Sequence, residues 1–239
     1  MLDHPEVKIK DQRTTYNWLP DFVYGGIDGS VTTFAVVAGV VGASLSTTII
    51  LILGFANLFA DGFSMAIGKY LSDKSQHELY NKIKEIEFKH LKEKTAHEIE
   101  EVRDILKLYG FKGKDLDRAT KVITSNPEVW VDLMMRNEFK MPHESISPAK
   151  GALTTFISFV LVGFIPLFAY TFSPILHLSE KTAFTATSFA TLSALFLVGM
   201  IKSKFSTRNW LVSGLETTLI GGVAATIAYF VGYFLRTLV

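Results

Sequence analysis

Asp28 and Asp61 flank a stretch in which every residue from Gly29 to Ala60 is uncharged. A carboxylate at membrane depth costs at least a few kcal/mol, so each of these acids marks a functional position unless a partner accounts for it. Asn57, Asp61 and Met65 recur at four-residue intervals, which stacks an amide, a carboxylate and a thioether on one helix face. Such a column of oxygen and sulfur donors suits a borderline divalent transition metal better than sodium or calcium, which take oxygen alone. Plainer uses exist: Met65 as packing filler, Asn57 as an interhelical hydrogen-bonding group, Asp61 as an ion-pair partner near a helix end. They explain two intramembrane acids together less well than they explain one.

A second set of donors pairs on single helix faces further along. Glu87 stands with His90, Glu98 with Glu101, and Glu138 with both Met134 and Met135, each at a spacing of three or four residues. Carboxylates and imidazoles projecting from facing helices are how helical bundles hold iron and manganese. In a segment so rich in Lys and Glu, however, carboxylate pairs at this spacing also arise as ordinary solvated faces. The adjacent methionines beside an acid are the least ordinary part. No nucleophile-base constellation and no phosphate-binding loop is present, which argues against an enzyme. The chain has no cysteine, so disulfides, thiolate metal sites and a cysteine nucleophile are excluded.

The elements that must position these residues follow from the apolar blocks. About half of the 239 residues are hydrophobic, and they come in long runs rather than periodic stripes. The sequence therefore predicts an all-α polytopic membrane protein. The uncharged run after Asp28 is too long for one crossing of roughly 20 residues and fits two, joined by a small polar turn at 42–48. Three further blocks, 151–172, 182–201 and 209–235, bring the expectation to five spanning helices. Residues 1–23 read as a cytoplasmic segment resting on the membrane interface through Tyr16, Trp18 and Phe22. They show no basic segment followed by a short apolar core, so no cleavable signal peptide is expected. Residues 24–72 hold the first two spans, 73–147 a charged helical domain, and 148–239 the last three spans.

Five spans put the N-terminus, the 73–150 segment and the 202–208 turn on one side, and these hold nearly all the Lys and Arg. The positive-inside rule then places the N-terminus in the cytoplasm and the C-terminus on the opposite side. Within the charged segment, residues 74–92 should continue the second span as a helix. Thr95 with Glu98 forms a capping-box pattern for a helix closing at Gly110, Asp115 suits the cap of a third helix, and Asn126 with Pro127 opens a fourth running to about Phe139. Gly25 and Gly29 in the first span, and Ala224, Ala228 and Gly232 in the last, imply close helix contacts. Pro166, with Gly163 before it, should kink the third span. Glu216, the single acid of the last span, reads as a hydrogen-bonding brace in preference to a proton-path residue.

YGGIDGSVTTFAVVAGVVGA, GFANLFADGFSMAIGKYLS, the Ser147-Pro148 opening of TFISFVLVGFIPLFAY and the closing WLVSGLETTLIGGVAATIAY together resemble the vacuolar iron transporter family, in order and over nearly the whole chain from Tyr24. The resemblance implies a homodimer that exports ferrous iron from the cytosol in exchange for protons, into a vacuole in a eukaryote or across the plasma (inner) membrane of a prokaryote. It places Asp28 and Met65 on the translocation path. It also implies that the charged domain binds metal through Glu87, Glu98, Glu101, Met134, Met135 and Glu138. Three positions depart from that family's pattern: His90 and Asn57 stand where acids are expected, and Lys69 stands where an acid is often found near the cytoplasmic end.

The expected mechanism is competition of metal and protons for Asp28 and Asp61, with the cytoplasmic domain passing metal to the pore through Met65. Partners are then membrane lipid, divalent metal ions, protons and a second copy of the chain, with no nucleic acid and no prosthetic group. Manganese or zinc in place of ferrous iron is not distinguished by donor type. The alternative of another class is a membrane-anchored metal buffer or sensor without transport; for it the set Asp28, Asp61 and Met65 has no use.

Overall fold

The computed structural model describes residues 17–141, 147–205 and 207–238. Residues 1–16, which carry Tyr16 and most of the expected interfacial segment, and Pro142 lie outside the described residues.

All regular elements among the described residues are helical. They are α1 (Leu19–Gly42), α2 (Thr47–Glu93), α3 (Thr95–Leu108), α4 (Gly113–Thr124), α5 (Pro127–Asn137), α6 (Pro148–Gly163), α7 (Ile165–Leu176), α8 (Glu180–Lys202) with a short 3₁₀ turn at Ser203–Phe205, and α9 (Trp210–Arg236). Among the described residues, α1, α2, α8 with its 3₁₀ turn, and α9 are each long and apolar enough to cross a membrane. A fifth crossing exists if α6 and α7, bent by 45° at their break, form one span. The bend falls where Gly163 and Pro166 predict it: the Pro166 ring removes one backbone donor and crowds the preceding turn. The chain is thus an all-helical, integral membrane protein.

The described residues divide into two compact units, one of residues 17–71 with 147–238 and one of residues 72–141. Their boundary falls inside the continuous helix α2. The first unit is built on close helix approach. A Cβ added at Gly29 would stand 2.9 Å from the Phe159 carbonyl carbon and closer still to its oxygen, and one at Gly25 would meet Ser158 Oγ and the Thr155 carbonyl. A Cβ at Gly42 would strike the Tyr229 carbonyl oxygen, and one at Gly232 the Gly39 carbonyl oxygen. The small-residue faces therefore serve contacts of α1 with α6 and α9 inside one chain. On α2, Leu58 fits against Gly163 and the Phe159 ring against Gly62, with Leu58, Phe159, Leu167 and Tyr170 fully buried in one cluster. The outward side of α9 exposes Leu219, Ile227, Phe230 and Phe234, an apolar face suited to lipid. Because backbone meets backbone at Gly29, Gly29→Ala forces α1 away from α6, and the expected cost is about 1–3 kcal/mol. Thermal unfolding in detergent, monitored by tryptophan fluorescence, should show a midpoint lowered by several degrees.

In the second unit two expected helix starts differ from those observed. Thr95 is not a cap: its hydroxyl donates to the Leu91 carbonyl at 2.7 Å, the N-cap position is Lys94, and no side chain caps α3. Glu98 is consequently released from the capping box to turn inward. Asp115 does not cap α4, which starts at Gly113, but sits in its first turn, where a carboxylate opposes the positive end of the helix dipole. Gly110 stops α3 in the left-handed region at φ 93°. Asn126 does cap α5, its side-chain oxygen accepting from Glu128 N at 3.1 Å and Val129 N at 3.4 Å, with Pro127 in the first turn. The core of this unit is Leu91, Val102, Leu106, Leu116, Trp130, Val131, Met134 and Met135.

Candidate metal centre

The hydrophobic core of the second unit fixes α2 against α3, and the acids sit where those helices meet. The chain breaks helix only at Lys94, whose amide still donates to the His90 carbonyl, so α3 folds back directly beside the last turns of α2. Glu87, His90 and Glu98 then converge, each offering one ligand atom within 4.8 Å of the other two. His90 Nδ1 lies 3.6 Å from Glu87 Oε1 and 3.7 Å from Glu98 Oε1. Both glutamates are 2% exposed. Oε2 of each is buried without a hydrogen-bond partner, which is costly for an acid unless a cation or a proton satisfies it.

Electrostatics joins two more acids to the group. Burial pushes the Glu87 carboxyl up to about 7, and the charges of Glu98, Glu138 and Glu101 push it the same way against Lys94. Glu98 is raised by burial, by the charge and hydrogen bond of Glu101, and by Glu138. Glu138, at the end of α5, is raised by burial and by Glu101. Glu87, Glu98, Glu101 and Glu138 therefore form one electrostatic cluster drawn from three helices, as their pairing on helix faces suggests. Met134 and Met135 are fully buried in the adjoining core, so that core and cluster share α5. His97 was not singled out by spacing, yet its Nε2 lies 3.3 Å from Glu101 Oε1, and its position four residues before Glu101 was the available signal. Buried carboxylates beside an imidazole are the donor types that a divalent cation with a taste for mixed nitrogen and oxygen ligands takes.

Since Glu87 has a folded-state pKa above its ordinary 4.5, the metal-free unit draws stability from the protonated acid below about 4.5 and loses it as pH rises through about 7. A bound cation reverses that loss, because it binds the deprotonated acids. Thermal unfolding of the full chain with and without manganese should therefore give a metal-induced rise in midpoint several degrees larger at pH 8 than at pH 5.5.

In the membrane unit, Asn57, Asp61 and Met65 lie half-buried on one face of α2. Asn57 Nδ2 is buried without a hydrogen-bond partner, and Met65 rests against the cluster containing Leu58, Phe159 and Leu167. Asp28, half-buried on α1, is close enough to Asp61 to feel its charge. Lys69 Nζ lies 3.4 Å from Asp21 Oδ1, a pairing that sequence reading did not single out although Asp21 stands on the same face of α1 as Asp28, seven residues earlier. Glu216 lies 3.6 Å from both Lys202 Nζ and Arg208 Nη1, in partly exposed ion pairs.

A family model described as the VIT family matches residues 19–233. The chain is 34% identical over 232 residues to vacuolar iron transporter 1 of Arabidopsis thaliana, covering 96% of this chain and 89% of that protein. It is 30% identical over 225 residues to the vacuolar iron transporter of Plasmodium berghei (strain Anka), covering 92% and 82% respectively. Vacuolar iron transporter 1 of Oryza sativa subsp. japonica is 30% identical over 229 residues, 95% of this chain and 87% of the relative.

Proposed function

The chain belongs to the VIT family, whose relatives named above are transporters and not enzymes, and from that premise we propose that it exports ferrous iron from the cytosol in exchange for protons. The observation that supports this reading most directly is Asp28 on α1 within electrostatic reach of Asp61 on α2, with Asn57 and Met65 on the same face of α2. Two acids placed together in an apolar unit repel unless a cation or a proton lies between them. Alternation between those two occupants is what an antiporter needs: the divalent ion leaves toward the trans side, and protons return to the carboxylates.

In this reading the N-terminus is cytoplasmic, the α6–α7 pair is one bent span, and the unit of residues 72–141 is a cytoplasmic domain. Glu87, His90, Glu98, Glu101 and Glu138 gather the metal there, Met134 and Met135 support the site, and Met65 receives the metal at the path. Two copies of the chain form the working unit. His90 brings a nitrogen ligand to an otherwise carboxylate site, so manganese or zinc is accepted alongside ferrous iron.

The test is anaerobic uptake of ferrous iron into proteoliposomes that hold a metal-sensitive dye and, in a parallel set, an internal pH probe. Metal entry with stoichiometric proton exit supports the antiporter. Binding of iron without movement under any pH gradient replaces it with a membrane-anchored buffer or sensor.

A further inference from the structure

One end of the membrane unit carries the α1–α2 turn, the α7–α8 turn and the end of α9, and there the Arg236 guanidinium donates to Ser44 Oγ. A cavity of about 210 Å³ opens at this end, with Ser44, Thr47, Tyr170, Glu180 and Lys181 in its lining. Glu180 and Lys181 are exposed, whereas Tyr170 is 1% exposed and its hydroxyl has no hydrogen-bond partner. Glu180 stands close enough to Tyr170 for its charge to act there. Phe184 lines this cavity and also a second one of about 380 Å³ between α1, α8 and α9, walled mainly by Phe34, Ala38, Leu192 and Ala225. Glu180, Phe184, Ser188 and Leu192 recur every four residues on α8, so one helix face serves both cavities. From Glu180 to Leu192 that face runs about 18 Å, close to the roughly 15 Å of hydrocarbon in one leaflet. The apolar cavity follows the rise from Phe184 to Leu192, about 12 Å, which makes it about 6 Å across. A helix is about 10–12 Å across with its side chains and overfills that width, while a hydrocarbon chain fits it.

We propose that this track is a binding site for one phosphatidylethanolamine molecule, with an acyl chain along α8 between α1 and α9 and the headgroup against Glu180 and Lys181. The charges at the rim select that headgroup. Glu180 offers a carboxylate to the ethanolamine ammonium, which has three N–H donors, and Lys181 beside it takes the phosphate. A choline headgroup carries the positive charge but has no N–H to give Glu180. A glycerol headgroup brings a phosphate near Glu180 with no cation of its own to offset the repulsion. A phosphate oxygen seated against Tyr170 also supplies the partner its hydroxyl lacks. The site needs only that the chain lies in a membrane, so it stands apart from the transport reading.

The experiment equilibrates the full chain in detergent with equal amounts of phosphatidylethanolamine, phosphatidylcholine and phosphatidylglycerol of the same acyl chains, and reads the retained lipid by native mass spectrometry. The wild type should keep phosphatidylethanolamine over either competitor by about fivefold or more, as a charge-assisted hydrogen bond at the rim requires. Glu180→Gln should bring that preference to within about twofold, because the ammonium loses its carboxylate while the acyl track stays open. Gly222→Leu fills the apolar cavity: a Cβ at Gly222 meets only Leu192 Cδ2, at 3.8 Å, so the side chain enters without a clash at its root. It should remove retained lipid of every headgroup. Each variant is checked for a single size-exclusion peak, and if Glu180→Gln does not fold, Lys181→Met decides in its place by the same loss of preference. Equal retention of the three lipids by the wild type, a preference for phosphatidylglycerol, or a preference that survives Glu180→Gln overturns the proposal. Undiminished lipid retention in Gly222→Leu overturns it as well, as does a wild type whose dimer, and not its lipid, is lost in that variant, since a second copy of the chain would then cover the groove.

Discussion

Replacing Glu98 with Gln should lower the affinity for ferrous iron proposed for the α2–α3 cluster by on the order of a hundredfold, the upper end of what loss of an outer-shell partner alone costs a metal site. Gln matches Glu in size, so the core around Val102 and Leu106 stays filled while the charge and one ligand oxygen are lost. The same substitution should raise the thermal midpoint of the metal-free protein at pH 8, because it removes one of four acids that repel one another in a buried setting. Lower metal affinity together with higher metal-free stability is a signature that general damage to the fold does not produce. Calorimetric titration of the detergent-solubilised chain with iron under anaerobic conditions, paired with unfolding scans, reads both quantities. Glu138→Gln should lower affinity by less than Glu98→Gln, since Glu138 is far more exposed than Glu98. Equal losses at the two positions would mean that the metal is not held between Glu87, His90 and Glu98.

The spans were legible because long uncharged runs have no other stable home, and the bend between α6 and α7 was legible because Pro166 has only a few structural consequences. Helix starts in the charged unit were read less well. A Thr followed three residues later by Glu is a sound cap signal, but the Thr95 hydroxyl bonds back to the Leu91 carbonyl and Glu98 is buried among other acids, and sequence spacing carries no information about which neighbour a side chain meets. Asp115 failed for a similar reason: α4 begins two residues earlier, at Gly113 with φ 53°, a conformation that spacing of polar residues does not reveal. Asn126 succeeded because a Pro directly after it leaves little choice of register.

The donors were found by a rule that looks only along one helix, so the pairs Glu87 with His90 and Glu98 with Glu101 were visible while their convergence across α2 and α3 was not. His97 and Asp21 were passed over for the same reason. Each lies on the face of a residue that was chosen, at four and seven residues' distance, but its role comes from a partner on the same or another helix that only folding identifies. The small-residue faces show the converse limit. Gly25, Gly29 and Gly232 announced close approach correctly, yet nothing in their spacing told that the approaching helices were α6 and α1 of the same chain.

Asp28→Asn should abolish transport, lowering ferrous iron uptake by more than about a hundredfold, because the substitution removes one of the two charges of the proposed carboxylate pair. Asn keeps the shape and can still offer an oxygen to the metal, so any loss is electrostatic and not a matter of room. Under the proposed antiport, in which both ions share the carboxylates, proton movement should be lost with metal movement. Stability should not fall: a carboxylate half-buried in an apolar unit, beside the charge of Asp61, is itself costly, and its neutral isostere relieves that cost. Met65→Leu gives the contrast. It preserves packing against the cluster that contains Leu58 and Phe159 and removes only a soft thioether donor, so iron uptake should drop about tenfold or less, with a smaller drop for manganese, which is indifferent to sulfur. Uptake and internal pH, followed in the same proteoliposome preparation, distinguish the two cases. A mutant that stops iron but still lets protons cross under a gradient would separate the two pathways and leave Asp28 as a metal ligand only, whereas coupled loss makes the carboxylate pair the place where the two ions exchange.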